Sequence, residues 1–367
     1  MSARAGNRLR ALAGAALGSL RPRLRARPRD PAKILVLHEL LLGDTLMLAP
    51  LLAALRERHP EAEILVTARP EHVALFAGRP WGARALPWSE RRRGAHGALI
   101  QAKGCDLALL PGEGRHALVA RALGAKWIVA FAGARPAWRA RLVDEQVDFP
   151  ASPAALGDLF ARLAGGPPVR RYRAGDWPVP PCAPFERPAA PYAVLHVGAG
   201  SPLRLWQAER WRALAAALAR ARLRVVWSAG AGETEIVRGI DPEARHESIA
   251  GRLDLAQLWH LLAGAALLIT LDTGIAHLAK LVGTRTVALY GPGSSVLFGR
   301  GEFWRDAPFT EVTIEDFACR DQRHLFKREL AWVRRCNRSI DECPRARCME
   351  AIGLDAVLRA AGLPGSR

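Results

Sequence analysis

The chain has 367 residues, half of them hydrophobic and about a quarter charged, with 33 glycines and 26 prolines. That composition excludes disordered, collagen-like and coiled-coil chains and leaves a globular protein long enough for two domains. Lys and Arg number 53 against 35 Asp and Glu, a formal net charge of +18, which favours polyanions: nucleic acid, an anionic membrane face or an anionic ligand.

Residues 1–30 hold eight arginines and one acid around the short apolar stretch ALAGAALGSL. More arginine follows it instead of a small-residue cleavage site, so it does not read as a signal peptide. It reads as a basic amphipathic helix on a membrane surface or as a basic tail. No run of about 18 uncharged apolar residues is present, so no segment reads as a membrane span.

AKILVLHE (32–39) then has strand length and composition, LLLGDTLMLAPLLAALRERHP (40–60) has helical spacing, and EAEILVTA (61–68) is a second strand. Strand, glycine turn, helix and strand make a βαβ unit and imply a parallel sheet. CDLALLPG (105–112) and KWIVAFAG (126–133) read as further strands with the helical HALVARALG between them. From about 165 to 190 the pattern dissolves into proline-rich linker. A second series then begins: strand YAVLHVGAG, helix AERWRALAAALARA, strand LRVVWSAG, helices ETEIVRGI and DLAQLWHLLAGA, strand LLITLDTG, helix IAHLAKLVG, strand TRTVALYG. The expected organisation is α/β: a basic segment 1–30, Rossmann-like domains at 31–178 and 179–345, and a C-terminal helix within 346–367. Ligands of such sheets bind outside the carboxyl ends of the strands.

Three turns between strand and helix carry candidate chemistry. In LLLGDTLM, Gly43 takes a tight turn, and Asp44 either caps the helix or serves as a general base. HVGAGSPLRLW is neither a dinucleotide fingerprint nor a P-loop, but its small residues let backbone N–H groups approach a phosphate, with Arg204 adding charge. Trp206 and Trp211 read as packing residues. In LLITLDTGIAHLAK a strand ends at Asp272, and Thr273 and Gly274 open a helix whose free N–H groups make an anion site, with His277 one turn in. The alternative there is that Asp272 or Thr273 caps the helix and His277 is structural.

In this order, LLLGDTLMLAPLLAALRERHPEAEI, GAGSPLRLWQAERW, SAGAGETEI, IAGRLDLAQLWHLLAGAALLITLDTGIAHLAKLVGTRTVALYGP and CMEAI resemble the ADP-heptose:lipopolysaccharide heptosyltransferases of glycosyltransferase family 9. The resemblance implies a GT-B fold, two facing Rossmann-like domains with a central cleft. It implies inverting transfer of a heptose or related sugar from a nucleotide-diphosphate sugar, ADP-heptose first, to a lipopolysaccharide core or related glycolipid. Asp44 then matches the general base on a loop with Gly43 and Thr45. Arg204, Glu233, Asp272, Thr273, Gly274, His277, Gly291 and Pro292 match the donor site: Arg204 at the phosphates in place of a common lysine, Glu233 at the ribose, the 272–277 stretch at the diphosphate.

The chain departs from the common pattern in having His38 and Glu39 where Arg or Lys is usual, and Leu40, Leu41 and Leu42 before the Gly-Asp pair. The resemblance places the protein on the cytoplasmic side of the inner membrane, peripherally attached. No Asp-x-Asp motif occurs, so neither a metal-bridged diphosphate nor a cofactor is expected. Four cysteines, Cys319, Cys336, Cys343 and Cys348, fall close together near His324 without a CxxC pair; a structural zinc site and plain structural cysteines are the two readings. The dispersed arginines and only three tyrosines argue against a nucleic-acid binder.

Overall fold

The computed structural model describes residues 26–91 and 97–364. Most of the basic segment 1–30, with its expected membrane contact, lies outside the described residues. Where the description begins, Arg27 pairs with Glu145 at 3.0 Å and donates to the carbonyls of Leu163 and Ala164. The chain forms two compact units. One comprises Met1–Arg170, Asp176–Pro180 and His324–Trp332; the other comprises Arg171–Gly175, Pro181–Arg323 and Val333–Arg367.

The first unit is built on strands β1 (Lys33–Val36), β2 (Glu63–Ala68), β3 (Arg84–Pro87), β4 (Leu107–Leu110), β5 (Trp127–Phe131) and β6 (Glu145–Val147). They form one sheet in the order β3-β2-β1-β4-β5-β6, parallel throughout. Leu35 is level with Leu65 on one side and Ala108 on the other. The inner strands are apolar without alternation because both faces of a parallel sheet are covered. On one face Leu35, Leu65, Ala108 and Ile128 pack with Leu99, Ala117 and Ala120.

The run 40–60, read as one helix, is two: Leu42–Leu46 and Ala49–Arg58. Pro50 separates them, since it has no N–H to give the carbonyl of Leu46 and is well accommodated in a first turn.

The second unit repeats the plan with β7 (Tyr192–His196), β8 (Arg224–Ser228), β9 (Glu247–Ser248), β10 (Leu267–Leu271), β11 (Thr286–Tyr290) and β12 (Phe309–Thr313), in the parallel order β12-β11-β10-β7-β8-β9. Ile269 lies between Leu195 and Val287. Its core joins Leu195, Trp227 and Leu289 to Trp211 and Leu214 of helix Ala208–Arg220 and to Val357 and Leu358 of helix Leu354–Ala360. Trp206 and Trp211 are packing residues, edge to face at 5.1 Å, with the Trp206 indole N–H donating to Ile352 O.

A last pair, β13 (His324–Leu325) and β14 (Arg328–Glu329), is an antiparallel hairpin grouped with the first unit. Arg328 donates to the carbonyls of Phe131 and Ala132 at the end of β5, and the Trp332 indole donates to Pro150 O. A stretch that follows the second sheet in sequence therefore packs on the first. Among the described residues no helix is long and apolar enough to cross a membrane.

In both sheets the first strand of the unit lies beside its fourth, β1 beside β4 and β7 beside β10. The order of connections reverses there, and ligands of open α/β sheets bind at the carboxyl ends of such neighbours.

Candidate active site

In the second unit the reversal point gathers most of the expected donor residues. Asp272 follows β10 directly. Thr273 is the N-cap of helix Gly274–Val282, its hydroxyl accepting the N–H of Ile275. The N–H groups of the first turn of a helix have no partner within it and point outward as a partial positive charge.

From the loop after β7, Arg204 donates Nη1 to Asp272 O at 2.7 Å and stands 3.9 Å from its Oδ2. Asp272 is only 4 % exposed, and its Oδ2 has no hydrogen-bond partner. Burial pushes its carboxyl pKa up, against the pull of Arg204, Arg335, Lys280 and Arg320. Gly293 backs this carboxylate so closely that a Cβ there would meet Oδ2 at 1.9 Å. His277 is equally buried, with Nδ1 unpartnered. Burial, reinforced by Lys280 and Arg204, holds its pKa well below the usual value, so the ring is neutral and offers at most a hydrogen bond.

Glu233, beyond β8, accepts the N–H of Gly230 at 2.8 Å, and its carboxylate lies where a Cβ on Gly198 would sit, 1.9 Å from Oε2. Only glycine at 198 leaves that space. Gly291 and Pro292 serve the loop's own architecture. The Gly291 carbonyl accepts from Arg320 and that of Pro292 from the Cys336 N–H, and Gly291 abuts Met349 of the CMEAI segment. His196 and Ser228, at the ends of β7 and β8, are joined at 2.9 Å in the same region. Burial lowers the His196 pKa to about 4. Neither carries a sequence signal, since the pair forms only when the two strands align.

In the first unit Asp44 is the third residue of helix Leu42–Leu46 and is half-buried. The helix N-cap is Leu41, without a side-chain cap bond, so Asp44 is not its capping residue. Gly43 lies beside it, half-buried. Thr45 is fully buried, with its hydroxyl turned back to Leu40 O.

The same strand ends carry a network that the sequence did not announce. Glu39, after β1, accepts from the Ser89 hydroxyl at 2.6 Å and the Glu90 N–H at 3.1 Å, both after β3. Arg115 and His116, after β4, approach Glu39 and Glu90 respectively, at 3.5 and 3.3 Å. Glu39, Glu90 and His116 each offer a ligand atom within 4.8 Å of the others. The Arg115 guanidinium already supplies positive charge among them, and its Nε donates to His116 Nε2. His38 is buried nearby, its pKa lowered to about 3 by burial and by His116, His72 and Arg69.

The four late cysteines are free thiols and form no second such group among the described residues. Burial, then the neighbouring Cys319, raises the Cys348 pKa to about 11, so it stays a thiol near neutrality. Arg320 lies within electrostatic reach of Cys319, Cys336 and Cys348.

A family model described as glycosyltransferase family 9 (heptosyltransferase) matches residues 95–312, more than half of the chain. The chain belongs to glycosyltransferase family 9. In this family member the matched span contains Arg204, Glu233, Asp272, Thr273, Gly274, His277, Gly291 and Pro292, while Gly43, Asp44 and Thr45 lie before it.

Lipopolysaccharide heptosyltransferase 1 of Pseudomonas aeruginosa is 30% identical over 154 residues, 39% of this chain and 43% of that protein. The protein of the same name from Escherichia coli K12 is 28% identical over 112 residues, 30% and 35% of the two chains. The matches thus span less than half the length of these relatives.

Among solved structures, a family 9 glycosyl transferase from Veillonella parvula superposes with a TM-score of 0.68 at 16% identity, covering 93% of this chain and 98% of that one. E. coli ADP-heptose lps heptosyltransferase II does so with a TM-score of 0.66 at 21% identity, covering 90% and 97%. These likenesses show the α/β, GT-B fold class that the sequence resemblance implies.

Proposed function

We propose that this chain is an inverting glycosyltransferase that moves a heptose, or a related sugar, from a nucleotide-diphosphate sugar to a lipopolysaccharide core or similar glycolipid. ADP-heptose is the first candidate donor. The observation that carries this reading is the gathering, inside the family-matched span, of Gly198, Arg204, Glu233 and the Asp272–His277 helix start at one reversal point.

In this reading the helix N–H groups and Arg204 meet the diphosphate, whose charge grows as the bond from its oxygen to the anomeric carbon breaks. Neutral His277 adds a hydrogen bond and not a charge. Glu233 faces the ribose. Asp44, in the first unit, takes the proton from the acceptor hydroxyl as that oxygen bonds to the anomeric carbon from the opposite face, inverting it. No protein-bound metal or cofactor enters these steps. The acceptor's amphiphilic chemistry puts the chain on the cytoplasmic face of the inner membrane, where the basic segment 1–30 meets anionic lipid.

The donor is identified by thermal shift with ADP, ADP-heptose and UDP-sugars at one common concentration, where a ligand present at about 100 times its Kd adds about 2.7 kcal/mol of stability. Stabilisation by ADP and ADP-heptose is expected. Stabilisation by UDP-sugars alone contradicts the heptose assignment.

A further inference from the structure

Of the eleven tryptophans, ten are buried or half-buried and Trp138 stands exposed, at 46 %. It lies in the turn of helix Ala137–Leu142, which buries no side chain, and Arg135, Arg139 and Arg141 flank it in sequence. Arg139 lies over the indole, its guanidinium carbon 5.7 Å from the ring centroid, and reaches back to Arg135 O.

The neighbouring carboxylates are engaged elsewhere, Asp144 by Arg121 and Glu145 by Arg27. The base of the turn is fixed: Leu142 and Val143 pack on the first core, and Arg121 holds Leu142 O at 3.0 Å. The result is a turn, anchored at its base, that presents one exposed indole with a guanidinium over it and two further arginines within three residues of it in sequence.

We propose that this turn docks the first unit on an anionic phospholipid bilayer. An indole sits at the boundary of head groups and acyl chains, with its N–H in the polar layer, and guanidinium groups pair with lipid phosphates. Both chemistries are present here in one fixed element. Arg220, Arg222 and Arg224 of the second unit are also exposed but have no aromatic among them, and they supply the comparison. The proposal fits a membrane-presented glycolipid acceptor, but it stands on the turn itself.

The test is co-sedimentation of the full chain with vesicles of phosphatidylglycerol and phosphatidylcholine, without donor or acceptor, so its failure leaves the transfer reading untouched. The variant R135Q/R139Q/R141Q is expected to lose on the order of a hundredfold in affinity, about fivefold per arginine. W138S is expected to weaken binding as well, and R220Q/R222Q/R224Q, with the same change of charge, to bind as wild type. Equal loss in both triple variants, or none in the first, overturns the proposal. So does a labelled single-stranded oligonucleotide that binds more tightly than the vesicles and is released by W138S.

Discussion

The candidate donor site has single atoms held against their own preference. Asp272 is a buried acid with one oxygen unpartnered, and its folded-state pKa lies above the ordinary value because burial outweighs its cationic neighbours. An acid shifted upward leaves the folded state at full stability below the unfolded pKa and costs stability as pH rises through the folded pKa. Asp272→Asn, which never ionises, is therefore expected to melt higher than wild type at pH 7. The difference should close as pH falls toward 4; calorimetry across that range checks it, and a lower melting temperature for the variant at pH 7 contradicts it. Strain of this kind at a reversal point suits a residue kept for its ligand more than for the fold.

The sequence showed the residues on one strand-to-helix turn, because Asp272, Thr273, Gly274 and His277 are contiguous. It could not show Glu39, Ser89, Glu90, Arg115 and His116, which meet only where β1, β3 and β4 end.

At the scale of elements, strands buried on both faces were legible. In KILV, LALL and LLITL every residue but Lys33 and Thr270 is apolar, as parallel packing favours. The short strands β3, β6 and β9 were not, since RALP, EQV and ES carry polar residues and half-covered positions toward the sheet edges. The helix break at Pro50 was hidden because the apolar spacing continues across it. The helix beginning at Gly274 joins stability to binding: Thr273 satisfies one of its first N–H groups and leaves others outward. Thr273→Ala removes that cap and is expected to cost about 1 kcal/mol. Chemical denaturation measures this, and an unchanged midpoint contradicts the capping role.

For the whole molecule, two sheets with the same reversal of strand order carry different chemistry at corresponding places. The second has a helix start and Arg204, suited to an anionic donor. The first has Asp44 in the first turn of helix Leu42–Leu46 and, at the same strand ends, a buried network of acids, Arg115 and histidines. Of the excess positive charge, which at first admitted three kinds of polyanion, the two proposals use Arg204 beside a helix start and the arginines of one turn. The transfer reading is tested most directly by incubating the full chain with ADP-heptose and a lipopolysaccharide-core acceptor lacking its heptose, and weighing the acceptor by mass spectrometry. The account predicts one added heptose with wild type and a rate lower by about 10²–10⁴ with Asp44→Asn, which still binds ADP. Transfer by Asp44→Asn at the wild-type rate, or no transfer by a wild-type chain that fails to bind ADP, would contradict it.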